Sequence, residues 1–297
     1  VKILDKKSIR GMILILLAGI LWGCMGLFVR PLDSKGLSSL DLVAVRSLLT
    51  AVFMGIFILI KSKKLFKIKL RDLWCFLGTG ILSIVFFNIC YFYEITITSL
   101  SVAAILLYTS PAFVMVISAV LFKEKLTIRK IIALIILFTG LIFVTGVLGG
   151  GSDLTTAAIF IGLGAGLGYA LYSIFGRYCL ERGYDTYTIS FYTFLFASVA
   201  TIPFSHIGKI AEVSFSSVPS FGFTILFVLV TTLIPYLVYT AGLKHVENSR
   251  AAIIASIEPV VATLNGILWF GEKITLPVFI GIVLVLTGIV ISNKKNS

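Results

Sequence analysis

Apolar runs long enough to cross a bilayer recur ten times in this chain, separated by short polar breaks. They fall at 11–30, 41–60, 73–93, 101–122, 130–148, 157–177, 187–204, 219–241, 250–270 and 276–292. A helix needs roughly 20 mostly apolar residues to span the hydrocarbon layer. Lipid offers no hydrogen-bond partners to loose backbone groups, so such runs close into helices. The seventh run is short and the sixth is rich in glycine. Charged residues make up 13% of the 297 positions and mean hydropathy is +1.09. Soluble domains carry about a quarter charged residues. The chain therefore reads as an all-α membrane protein with ten transmembrane helices.

Its formal charge is +12. No basic stretch carries interleaved aromatics or a nucleic-acid motif, so the balance points to cytoplasmic loops at a membrane surface and away from nucleic acid as a partner. With the N-terminus inside, twenty Lys and Arg fall on the cytoplasmic side. They are Lys2 to Arg10, Lys61 to Arg71, Lys123 to Lys130, Arg177 and Arg182, Lys244 and Arg250, and Lys294 and Lys295. Only Arg30, Lys35, Lys209 and Lys273 fall outside, and Arg46 lies within a span. The expectation is a multi-pass protein of the cytoplasmic (inner) membrane with both termini cytoplasmic. The basic N-terminus precedes an apolar run that reaches Val29 without a clear cleavage site, and it reads as a retained first helix.

Sliding the chain by 148 residues aligns "YTSPAFVMVISAVLFKEKLT" (108–127) with "SIEPVVATLNGILWFGEKIT" (256–275) without a gap. Pro111 falls on Pro259, Glu124 on Glu272, Lys125 on Lys273 and Thr127 on Thr275. Ser101 meets Ser249 upstream, and Gly140 meets Gly288 downstream. Shared composition would scatter Leu and Ile matches; an ordered set of Pro, Glu-Lys, Thr and Gly marks a duplication. Each copy holds five spans, an odd number, so the second enters the membrane from the opposite side. The organisation expected is two inverted five-helix repeats, 1–148 and 157–297, joined by a linker at 149–156 inside "LGGGSDLTT". Inverted repeats are typical of secondary transporters.

These segments, each with a mid-span proline and "E-K-x-T" at its end, resemble the EamA family of the drug/metabolite transporter superfamily. "LLAGILWGCMGLFVRP" (16–31) resembles that family's first helix, and "LVAVRSLLTA" (42–51), with Arg46, its second. The resemblance covers essentially the whole chain and implies a central cavity lined mainly by spans 1, 3, 4, 6, 8 and 9. The two copies differ where acids are concerned: Ser110 matches Glu258, and Glu94 matches Gly242.

Glu258 stands out because a charge deep in a membrane is costly and normally faces a cavity or a partner. Its helical face also carries Ala262 and Asn265. Either a solute ammonium, a coupling proton, or a structural partner such as Arg46 would account for it. Pro111 and Pro259 are expected to bend their helices. Glu94, at the end of "NICYFYE", reads as a solvated helix-end carboxylate first and a coupling group second. Asn88 and Tyr91 could present polar atoms inward. Arg46 reads as a snorkelling or ion-paired residue. Trp22, Tyr108, Tyr169, Tyr172, Tyr236 and Tyr239 are candidate solute contacts, since tyrosines beside one carboxylate can hold an organic cation. An interfacial aromatic belt is the plainer reading of the same residues. In "GLGAGLG" (162–168) the dinucleotide spacing is missing; Gly162/Gly166 and Gly164/Gly168 instead provide faces for close helix packing.

Four cysteines in or beside apolar segments and two histidines without ligand spacing suggest no metal and no cofactor. The expected activity is alternating-access transport of a small organic solute, with export of an amino acid or similar metabolite favoured and proton coupling through Glu258 as an option. Uptake of a choline-like amine or a nucleoside is the rival. No H-E-x-x-H or other hydrolase motif argues for an enzyme, although a membrane-embedded enzyme or a non-transporting scaffold is the alternative of another class. Lipid is the surrounding partner, and the chain could act as a monomer or a homodimer.

Overall fold

The computed structural model describes residues 6–147 and 155–293. Lys2, Lys294, Lys295 and nearly all of the expected linker, including Asp153, lie outside the described residues. Ten helical segments are long and apolar enough to cross a membrane: Lys6–Ser34, Ser39–Lys61, Leu70–Ile97, Leu100–Leu121, Ile128–Thr145, Thr156–Glu181, Thr186–Phe204, Val218–Leu243, Asn248–Phe270 and Leu276–Asn293. Each coincides with an expected run to within a few residues. A short helix, Ile207–Phe215, sits between the seventh and eighth spans, where the sequence had suggested only a connection.

The packing partners are exchanged between the two halves. The first span lies on the eighth and ninth, and the sixth lies on the third and fourth. The second packs on the seventh and the fifth on the tenth. A half-turn relating two inverted five-helix repeats produces this pairing.

The register of 148 holds in local structure as well. The fourth span is two half-helices, Leu100–Leu107 and Ser110–Leu121; the ninth is Asn248–Ala255 and Glu258–Phe270. Both breaks fall at duplicate positions. Pro111 and Pro259 therefore do not kink a continuous helix, as the sequence had suggested. Each occupies the first turn of the second half-helix, where its missing N–H costs nothing and its fixed φ suits the start of a helix. The third and eighth spans each contain a π-helical stretch, Gly78–Val85 and Leu229–Leu233, ending 148 residues apart. Thr127 and Thr275, another duplicate pair, cap the spans that follow them through the N–H of Lys130 and Val278.

Small residues bring the spans together. A Cβ on Gly166 would lie 2.5 Å from Thr109 Oγ1 and 2.8 Å from the Leu106 carbonyl, and one on Gly162 would overlap the Leu106 side chain. The "GLGAGLG" segment thus seats the sixth span against the fourth, next to the helix break. Gly140 and Gly281 play the same part between the fifth and tenth spans, where each backbone carbonyl faces the other glycine.

Candidate functional site

The break in the ninth span places Glu258 at the start of a thirteen-residue half-helix. A carboxylate is favoured there, because the aligned peptide dipoles leave positive charge at a helix N-terminus. Glu258 Oε2 accepts a hydrogen bond from the Tyr169 hydroxyl of the sixth span at 2.8 Å. Both residues line a cavity with Tyr108, Ser110, Val114, Ala170, Ser173, Tyr239, Ala252, Ala255 and Ser256. Its empty space amounts to about 310 Å³, yet it is narrow, with room at its centre for about one water molecule. An organic solute would enter only after side chains or spans move.

The walls come from the fourth, sixth, eighth and ninth spans. The first and third spans, expected to line the cavity too, stand one layer behind. Trp22 of the first span packs its ring against Tyr169, Tyr236 and Tyr239, with centroids 6.2, 5.1 and 5.2 Å away. Phe87 of the third packs edge-on against Tyr169 at 5.4 Å. This is an aromatic cluster in the bundle interior, so an interfacial belt does not describe these residues.

The other tyrosines divide by their bonds. Tyr239 shares a 2.7 Å hydrogen bond with Ser173, and both face the cavity. The Tyr172 hydroxyl pairs with Thr240 at 2.7 Å and lies outside the lining. Tyr236 stacks edge-on against Tyr172 at 4.9 Å and Phe194 at 5.0 Å. Tyr91 packs against Phe87 and Phe92. Asn265 is not on the cavity wall: its amide donates to the Gly23 carbonyl at 3.2 Å and ties the ninth span to the first.

Three expectations about charged residues change. Arg46 does not snorkel, being only 6% exposed, and it has no carboxylate within ion-pair distance among the described residues. Its Nη2 donates to Asn88 Oδ1 at 3.0 Å, and Asn88 in turn donates to the Ile84 carbonyl at 2.6 Å. Glu258 is consequently not its structural partner. Glu94 is fully covered rather than solvated, because the third span runs on to Ile97 and neighbouring helices close over it. Its Oε1 accepts from Thr98 at 3.3 Å, while Oε2 has no partner.

A polar cluster that no local sequence pattern announces lies at the end of the fourth span and the start of the ninth. Glu124 accepts the N–H groups of Asn248 and Ser249 at 2.7 and 3.1 Å and the Ser249 hydroxyl at 2.5 Å. Lys130 reaches Ser249 at 2.8 Å and Glu247 at 2.7 Å. Arg177 donates to Asn248 Oδ1 at 2.9 Å and to the Val246 carbonyl. Its trace in the sequence is the duplicated Glu-Lys pair, Glu124-Lys125 and Glu272-Lys273. Among the described residues no group of His, Cys, Asp or Glu is arranged to hold a metal ion.

Comparison with known proteins places this geometry. The model of the EamA-like transporter family matches residues 9–146 and again 156–294. An uncharacterized transporter of Archaeoglobus fulgidus is 32% identical over 205 residues, 69% of this chain and 71% of its own. The uncharacterized transporter YxxF of Bacillus subtilis is 26% identical across 97% of this chain and 91% of its own. The uncharacterized inner membrane transporter YicL of Salmonella typhimurium is 22% identical across 95% and 94%. One solved crystal structure superposes with a TM-score of 0.76 at 15% identity, covering 95% of this chain and 96% of the other, a likeness of fold.

Proposed function

Because this chain belongs to the EamA-like transporter family, we propose that it is a secondary transporter moving a small organic solute by alternating access. The reading is carried by one observation: a carboxylate and a tyrosine hydroxyl meet at a mid-span helix break, inside a narrow cavity between the repeats. Glu258 supplies the negative charge for a solute ammonium, and Tyr108, Tyr169 and Tyr239 supply π faces and hydroxyls around it. A cavity too narrow for such a solute suits a resting state, from which the repeats rock apart. Residues 1–148 and 157–297 form the two moving units, and the charge asymmetry puts both termini in the cytoplasm.

Export of an amino acid or related metabolite is the preferred activity, with Glu258 as the group that would exchange a proton for solute. Purified protein in sealed liposomes tests this. Solute-dependent movement of acid across the membrane is expected, and flux without any pH change would leave a facilitator. Absence of flux for every amino acid and amine tried would count against the transporter reading itself.

A further inference from the structure

We infer that Arg46 forms a second, anion-binding pole of the solute site, so that the solute is a zwitterion rather than a simple amine. The inference rests on the transporter reading and deepens it. A guanidinium buried within a membrane needs an opposite charge or full hydrogen bonding. Arg46 has neither: no carboxylate is within ion-pair distance among the described residues, its Nε has no acceptor, and its Nη1 finds only the Met25 sulfur at 3.7 Å. Trp22 Nε1 is a second buried donor without an acceptor. Both Arg46 and Trp22 neighbour Tyr236, the first electrostatically and the second by ring contact at 5.1 Å. Trp22 also touches Tyr169, whose hydroxyl holds Glu258. One aromatic cluster therefore links the unfilled donors to the carboxylate. Arg46 and Trp22 stand behind the cavity wall in this state, so the contact forms when the spans part: a carboxylate on the solute then satisfies the donors while its ammonium meets Glu258.

Matched probes test this: phenylalanine, leucine and lysine against phenethylamine, isoamylamine and cadaverine. Their binding to the purified full-length protein is read by thermal stabilisation, which mass action converts to affinity. The wild type is expected to bind at least one amino acid tenfold or more tighter than its decarboxylated partner. Arg46→Gln should erase that difference while leaving amine affinity within about twofold. Equal wild-type affinity for the two, no binding of any of the three amino acids, or equal loss of both probes in Arg46→Gln would each overturn the assignment. Glu258→Gln separates the two readings: if it weakens both probes, the solute site stands even where the Arg46 assignment falls.

The duplication carries an independent inference at the ends of the bundle. Glu124 closes on the N-terminus of the ninth span, where Asn248 and Ser249 are fully covered. Its duplicate, Glu272, should by symmetry close on Leu100 and Ser101 at the start of the fourth. Instead it is half-exposed and pairs with Arg30 at 2.7 Å, and Leu100 is exposed. We propose that these two glutamates are reciprocal latches: one is shut here, and the opposite-facing state shuts the other. The donor set is retained in both copies, because Ser101 duplicates Ser249 and the backbone N–H groups need no particular side chain. This too rests on the alternating-access reading.

Paired cysteines test the latches in a background with Cys24, Cys75, Cys90 and Cys179 replaced. Glu124→Cys with Ser249→Cys, and Glu272→Cys with Ser101→Cys, should each be bridged by a short bifunctional maleimide. In the four-cysteine protein a molecule should carry one bridge or the other, never both, as mass spectrometry of intact protein would show. A 272–101 pair that never bridges, or molecules carrying both bridges, would overturn the reciprocity. Neither outcome depends on knowing the solute.

Discussion

The carboxylate of Glu124 receives the backbone N–H of Asn248 at 2.7 Å, fastening the end of the fourth span to the start of the ninth. It does for the ninth span what a capping side chain does elsewhere. Glu247, the residue in the cap position, makes no side-chain cap of its own. By contrast, Ser99 caps the fourth span through the N–H of Val102 at 3.2 Å. Glu124→Gln removes charge-assisted bonds at a covered site and should lower stability by about 1–3 kcal/mol. Glu272→Gln breaks an exposed pair and should cost no more than about 1 kcal/mol. Thermal melting in one detergent decides between them, and equal losses would contradict the structure.

Glu258→Gln keeps the shape of the acid and removes its charge. The bond from Tyr169 survives in weaker form. Loss of one charge-assisted contact to a solute is worth about 1.5–3 kcal/mol, so flux in liposomes should fall roughly tenfold or more. Membrane insertion and melting should hardly change, and wild-type flux would remove Glu258 from the site.

Gly166→Ala should destabilise the protein by about 1–3 kcal/mol, since the new methyl has no room and the neighbours include backbone. The carbonyls of Leu106 and Leu107 would lie 2.8 and 3.2 Å from it. Gly222→Ala is the control. Nothing lies within 4 Å of a Cβ there, and the better helix propensity of alanine makes a small gain the expected result. A melt series of the two variants is sufficient.

Topology is testable with single cysteines in the same cysteine-free background. Ser34 ends the first span and Ser62 follows the second, so they lie at opposite ends of the bundle. An impermeant maleimide should label a cysteine at Ser34 from outside intact cells and one at Ser62 only after permeabilisation. Labelling of both from one side would reject the proposed orientation.

The ten spans were legible because each is a long apolar run bounded by charge, and the duplication because its register of 148 has no gap. Glu258 was legible by its isolation. Three features were not, each for the same physical reason: they depend on tertiary contact rather than on periodicity. Pro111 and Pro259 announced irregular helices, yet whether a proline kinks a helix or starts one depends on backbone two residues upstream. Glu94 sits near a span end, and only the packing above it shows that it is covered. Arg46 and Asn88 are 42 residues apart, and nothing local signals that they meet. The Ile207–Phe215 helix did leave a trace, with apolar residues at 207, 210 and 213 on one face, of which Val213 is buried.

The lone acid at the ninth-span break has a consequence beyond the contacts it makes. If the two halves were identical, turning the molecule over would reproduce it, and solute would be held equally well from either side of the membrane. Ser110 in the place matching Glu258 cancels that equivalence. In the proposed transport cycle the affinities facing the two sides of the membrane are then free to differ, so solute can be picked up tightly at one face and let go readily at the other.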